Sequence, residues 1–457
     1  MHPEDNSRRA ILPEIMGEIF YLDRGQLVCL TLVCKAWRRI ALHTHQLWGH
    51  VQVPIGGSFD YDKVIAWLSK AGATPKVASL IGYNRYNFQD PCPCGHLGAE
   101  PECPWEVLQF MPRFGIISNS QPHPHRALNS SRAKIHTPWD NSNSQPWNSI
   151  RSLTLSFGRG YYVEPVRDSV SIFNSLPSSL TSLDVTFASS DRQSRPRYEI
   201  PPSTLGRLKT LRISCHWDVA RLAHLLRQCT RVESLGISHR SGARCSITFE
   251  YYYDQADSPS VDEQRPITFP HLRSLDVDIR YPRDAANLLS QINAPAVLDF
   301  RIHTTMGVDA VSKYLGYLNA CSSFRSLTIH EIYMREPLTI APTALVNTLS
   351  MLPSLTHFGL DHVTFDANKL LRELETTHQG LHIVPQLRTV EMTAPGNDVT
   401  LKGLLCYVRA RCRQSTGPGT MKRIELRSVP PRLAEEYRTS PAVQALQDLG
   451  VVVDIYQ

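Results

Sequence analysis

The chain lacks a long apolar run. No window of 18 or more apolar residues occurs along its 457 residues, so the sequence offers no membrane-spanning helix. Met1 to Arg9 is polar and charged and has no apolar core of the secretion-signal type. The expected compartment is the cytosol or nucleus, where the 11 cysteines stay mostly as thiols and several are buried as small apolar groups. A strong surplus of one charge is also missing. Lys and Arg number 48 against 42 Asp and Glu, a net +6, and the signs are interspersed rather than gathered into a basic stripe. That pattern argues against a nucleic-acid partner. The sequence has no glycine-rich phosphate loop, no Gly-x-Ser-x-Gly elbow and no His-Glu-x-x-His pair. His216, His303 and His330 lie beside apolar strand phrases and read as solvent-facing or structurally satisfied residues, not catalytic bases. The expectation is a chain that is not an enzyme and carries no cofactor.

What is present is a globular composition, 42% hydrophobic and 20% charged. Near the start, Leu12, Ile15, Met16, Ile19 and Phe20 repeat at helical spacing and form one stripe. Pro13 suits a first turn, where an amide has no partner to lose, and Glu14 suits the positive helix end. Asp23-Arg24-Gly25-Gln26 reads as a turn, and a second helix is expected from about Gln26 to His43. Leu47-Trp48 then precedes a short strand at Val51–Val53.

The run Leu12-Pro13-x-Ile15 with Ile19-Phe20, then Leu32-Val33-Cys34-Lys35-x-Trp37-Arg38, then Leu47-Trp48, resembles the F-box, in the form abundant in fungi. Two positions depart from that pattern: the first turn is about one residue shorter, and Gln26 stands where an Asp commonly opens the second helix. The resemblance implies a three-helix head that docks a Skp-family adaptor and, through it, a cullin. It further implies that Leu12, Pro13, Ile15, Ile19, Val33, Cys34, Trp37, Leu47 and Trp48 face the adaptor. The plainer alternative is that these residues only close a private three-helix core. Three short helices cannot enclose so many large side chains alone, which favours docking.

Beyond residue 150 a phrase of the form apolar-x-x-apolar-x-apolar recurs, from Ile150/Leu153/Leu155 to Met421/Ile424/Leu426, with a weaker copy at Val453/Ile455. Its central positions lie 24 to 40 residues apart. The last two apolar positions alternate, as in a strand with one buried face. Helical stretches lie between copies, around Ala220–Leu226, Ala285–Leu289, Val311–Leu318, Leu345–Met351, Leu370–Leu374 and Leu404–Val408, with Pro177, Pro295 and Pro353 as stops. One strand and one helix per unit resembles leucine-rich repeats, here irregular and without their asparagine position. A doubly wound sheet is the rival, disfavoured because no glycine-rich strand-to-helix turn is present. The fold class expected is therefore α/β: a three-helix F-box followed by an irregular leucine-rich-repeat solenoid.

The expected organisation is a flexible tail at 1–9, an F-box at 10–53, a diverged first repeat at 54–83, a largely disordered insertion at 84–149 and a solenoid at 150–457. A second insert, about Ser241 to Pro266, accounts for the longest gap between phrases. In the first insertion, Cys92, Cys94, His96 and Cys103 are the one cluster of metal-ligand residue types. Zinc needs about four such ligands. The single residue between Cys92 and Cys94 is not finger spacing, so incidental cysteines in a proline-rich loop is the favoured reading. Along the strands, the residue between the paired apolars should point outward: Thr154, Asp184, Arg212, Gly236, Asp276, Arg301, Thr328, Gly359, Glu391 and Glu425. This row suits a protein ligand better than a polyanion and is equally an ordinary solvated face. The function expected is substrate recognition in a Skp–cullin–F-box ubiquitin ligase, with the target bound by the repeats. The alternative is a cullin-independent scaffold.

Overall fold

The computed structural model describes residues 34–55, 61–82, 149–156, 173, 176–187, 200–217, 219–239, 266–279, 282–304, 315–316, 323–331, 342–362, 367–375, 383–393, 401–414 and 421–457. Contacts divide the chain into two compact units, Met1–Thr204 and Leu205–Gln457.

In the first unit, helix α1 (Lys35–His43) begins after Cys34, whose backbone is extended (φ −157°) and whose sulfur accepts the Trp37 N–H at 3.4 Å. The helix expected from Gln26 to His43 is therefore not continuous. A thiol taking a capping role at Cys34 leaves the chain extended there, and the described helix begins at Lys35, while Gln26 to Val33 lie outside the described residues. Helix α2 (His45–Trp48), strand β1 (His50–Ile55), helix α3 (Tyr61–Lys70) and strand β2 (Lys76–Gly82) follow. Gly72, at φ +54°, makes the tight turn after α3, a conformation that costs glycine no Cβ clash. Strands β3 (Ile150–Ser156) and β4 (Ser182–Thr186) extend the parallel order β1-β2-β3-β4. Lys76 enters β2 only 1% exposed, and its ammonium donates to the Gly72 carbonyl at 2.7 Å and to the Ser149 hydroxyl. Burial pushes its pKa down, and these two acceptors are what make a buried ammonium tolerable.

The second unit carries nine parallel strands in the order β5-β6-β8-β10-β11-β12-β13-β14-β15. They are β5 (Thr210–Cys215), β6 (Ser234–His239), β8 (Ser274–Ile279), β10 (Asp299–Thr304), β11 (Ser326–Glu331), β12 (His357–Asp361), β13 (Thr389–Thr393), β14 (Arg423–Arg427) and β15 (Val452–Ile455). Two short strands, β7 (Ile267–Thr268) and β9 (Ile292–Asn293), pair separately. The helices are α4 (Val219–Leu226), α5 (Pro282–Leu289), α6 (Pro342–Ser350), α7 (Ala367–Glu375), α8 (Leu401–Gln414), α9 (Pro431–Arg438) and α10 (Pro441–Asp448). Helix α4 packs on α5, α6 on α7, α7 on α8 and α8 on α10.

The register explains the repeat. Leu211, Leu235, Leu275, Phe300, Leu327, Phe358, Val390, Ile424 and Val453 are partners from strand to strand. So are Ile213, Ile237, Val277, Ile302, Ile329, Leu360, Met392, Leu426 and Ile455. From β5 to β14 every member of both ladders is buried, as is each leading residue from Leu208 to Met421. One strand and helix cannot cover an apolar face, so each unit is covered by its neighbours. The entry to each strand repeats as well. The first strand amide bonds back one unit, for example Ser326 to Leu298, His357 to Arg325 and Thr389 to Thr356. At β15, the last strand among the described residues, Val453 and Ile455 are only half-buried.

Between α8 and the approach to β13 lies Arg411, 3% exposed. It donates to the carbonyls of Val384 (2.9 Å) and Pro385 (2.9 Å) and to the Tyr407 hydroxyl (3.0 Å), so backbone oxygens compensate its burial.

The ladder makes a measurable claim. Phe300 is 0% exposed and its ring lies 5.9 Å from that of Phe324, so Phe300→Ala should cost about 3–5 kcal/mol, read as a lowered urea midpoint. Arg301→Ala, the next residue but facing outward, should stay within about 0.5 kcal/mol.

Candidate functional site

Helix α1 has an enclosed side and an open side. Ala41 is buried, while Cys34, Lys35, Arg38, Arg39 and Leu42 are exposed. Ala41, Leu47, Trp48 and Ala71 form a core, with Trp37, Ile40 and Trp67 packed against it. Trp48 is its centre. Its indole N–H donates to the Ala41 carbonyl at 2.7 Å, its ring meets that of Trp67 edge-on at 4.6 Å, and the Lys70 ammonium stands 4.3 Å from the ring. Trp67, Lys70 and Ala71 belong to α3 and the turn after it, so the head is seated on the first strand–helix unit. Leu47 and Trp48, read from the sequence as adaptor-facing, are 1% and 3% exposed and turned inward. Trp37 is half-buried against the same core, and Cys34 is open to solvent. Leu12, Pro13, Ile15, Ile19 and Val33 lie outside the described residues.

Residues 13–52 match the F-box-like family. No curated protein matches the chain. The F-box-like region thus ends inside β1, the first strand of the sheet. The Cys92, Cys94, His96 and Cys103 loop and the insertions around 84–148 and 240–265 lie outside the described residues. Among the described residues no group of three or more His, Cys, Asp or Glu is arranged to hold a metal ion. Among the same residues no helix is long and apolar enough to cross a membrane.

The second unit presents the outward face of its sheet in three rows. The central row runs Arg212, Gly236, Asp276, Arg301, Thr328, Gly359, Glu391, Glu425 and Asp454. These include the outward positions expected from β5 onward. Thr154 and Asp184 hold the corresponding positions, paired to each other, in the first unit. A second row runs Ser214, Ser238, Asp278, His303, His330, Asp361, Thr393 and Arg427. The third runs from Thr210 through Asp299 and His357 to Arg423 and Val452.

Polar groups link these rows sideways. Arg212 reaches across β6 to Asp276 on β8, at 3.0 Å. Gly236 permits this: a Cβ there would meet the Arg212 side chain at 3.0 Å. His303 holds the other Asp276 oxygen at 3.1 Å, and its ring lies 4.6 Å from that of His330. His330 bonds Asp361 through Nδ1, and His362, at φ 56°, turns toward the same carboxylate. Further along, Glu391 meets His357 (3.4 Å) and Arg427 (3.1 Å). Glu425 lies between Arg423 (3.2 Å) and Arg427 (2.7 Å), and Arg423 also holds Asp454 at 2.7 Å. The sequence reading found the central row from strand alternation. It missed the contacts of His303 with Asp276, His330 with Asp361 and His357 with Glu391, because those join residues 27 to 34 positions apart that only strand register brings together.

For Asp276, burial alone would push the carboxyl up. The hydrogen bond and charge of His303, then the charges of Arg212 and Arg301, outweigh it and hold the carboxyl below its usual value. A depressed folded pKa adds stability that is present above the unfolded value of about 3.9 and is lost as pH falls through the folded value. In His303→Ala the Asp276 carboxyl should titrate nearer its ordinary value in carbon-13 NMR, and the loss of stability below about pH 4 should flatten. At the head, Trp48→Ala should cost about 3–5 kcal/mol of stability, measured by chemical denaturation.

Proposed function

We propose that this chain is the substrate-recognition subunit of a Skp–cullin–F-box ubiquitin ligase. The observation that carries the reading is the F-box-like match at 13–52 on a head whose own core faces α3, leaving the other side of α1 open. F-box regions typically bind Skp-family adaptors, and the adaptor would bring the cullin. Leu12, Pro13, Ile15, Ile19, Val33, Cys34 and Trp37 are the proposed docking residues. Leu47 and Trp48, enclosed at 1% and 3% exposure, would act by fixing α1 and α2 on the first unit. The parallel strand–helix array would be a loose leucine-rich-repeat body that receives a target protein. The mechanism is proximity: the target is held beside the charged ubiquitin carrier, its effective concentration rises, and the chemistry is done by other subunits. The chain would then act in the cytosol or nucleus, without catalysis or cofactor of its own.

The deciding experiment is binding of the purified chain to a Skp-family adaptor, alongside a Leu12→Ala/Pro13→Ala double variant. Binding by the wild type that the double variant loses is the expected result. A folded wild type that does not bind would leave a repeat protein with no ligase role.

A further inference from the structure

The outward face of the second unit has a charge of its own. Its strand positions in β5, β6, β8 and β10 through β15 hold seven carboxylates against four arginines, and no lysine, which leaves the face at −3 with neutral histidines. The whole chain stands at +6. An acidic face on a basic chain is charge segregated by the fold, since the acids are scattered from Asp276 to Asp454 in sequence. The face is also nearly free of apolar groups: setting the glycines aside, Val452 at its far edge is the exception. Such a surface recognises by charge and hydrogen bonding rather than by an apolar anchor.

The carboxylates are already oriented. Asp276 is held between Arg212 and His303, Asp361 by His330, and Glu425 by two arginines. Three of the arginines are therefore engaged within the face, whereas Asp299 is exposed and makes no ion pair. Nine strands at about 4.8 Å span roughly 38 Å, the length of an extended segment of about twelve residues. Groups fixed in advance cost little to order on binding, so a flexible segment of opposite charge is the partner such a surface favours.

We propose that the outward face of β5 to β15 docks an extended, lysine- and arginine-rich segment of a target protein. This rests on the reading of the repeat body as the target-binding part.

The test is fluorescence anisotropy on the full chain, with a labelled peptide of about twelve residues alternating lysine and serine, and a matched glutamate–serine peptide. The lysine peptide should bind, should lose about ten-fold in affinity between about 50 mM and about 300 mM NaCl, and should outcompete the glutamate peptide. Asp299→Lys, on the face, should weaken binding about five-fold, whereas Glu436→Lys, an equal charge change on exposed helix α9, should change it less than about two-fold. Equal loss in both variants would reduce the effect to net charge and overturn the proposal, as would equal binding of the two peptides. A low-salt dimer in light scattering that Asp299→Lys abolishes would overturn it in favour of a second copy on this face. The wild-type peptide comparison needs no variant to fold. Adaptor binding on the same preparation separates the failures. A chain that binds adaptor but not peptide loses only this inference. One that binds peptide but not adaptor loses the ligase reading.

Discussion

Every described element of the second unit depends on the burial of two in-register apolar ladders, one through Leu211, Phe300 and Ile424, the other through Ile213, Ile302 and Leu426. No single strand–helix pair can take this surface out of water, so cover comes from the units before and after. Parallel pairing with a fixed register is the geometry in which equivalent positions meet again and again. Shifting one strand by a residue would turn its buried side chains outward and its carboxylates inward, which costs far more than any surface contact could restore. The outward rows of charge are a consequence of that constraint.

Because the register is fixed by apolar burial, the outward positions are free to carry side chains that cooperate across strands. Arg212 reaches two strands away over Gly236, whose missing Cβ leaves it room, and Asp276 can hold both Arg212 and His303 because its neighbours are set at strand spacing. Individually these exposed pairs contribute little to stability. Their effect is to fix the direction in which donors and acceptors are presented, which suits recognition better than it suits folding. At the β15 end the array presents Val452 on the outward face, paired with Arg423, and Tyr456 just after the strand, both exposed.

The head follows different physics. Its described helices are short, and their enclosed side chains are not sufficient to make a core alone. Trp48 resolves this by borrowing α3: its ring meets Trp67 edge-on and lies under the Lys70 ammonium, and its N–H is satisfied at Ala41. A residue type that suggests a docking anchor can equally be the joint between a head and a body. Spacing in the sequence is the same for both roles, and only the position of α3 tells them apart.

The strand phrases were legible in the sequence because burial on one face imposes alternation, and alternation survives in any strand of a few residues. The F-box-like pattern was legible for the same reason: it is a short local code of apolar spacing, turn residues and a Leu-Trp pair. Helices α4 to α8 were placed by their spacing, while α9 and α10 were not, since their apolar positions are few and interrupted by charge. The extended backbone at Cys34 was missed because a thiol cap leaves no mark in a hydrophobic pattern. What tertiary structure alone decided is which distant residues share a surface. Asp276 beside His303, Asp361 beside His330 and Trp48 beside Trp67 are set by register and packing over long separations, and nothing local to any of these residues specifies its partner.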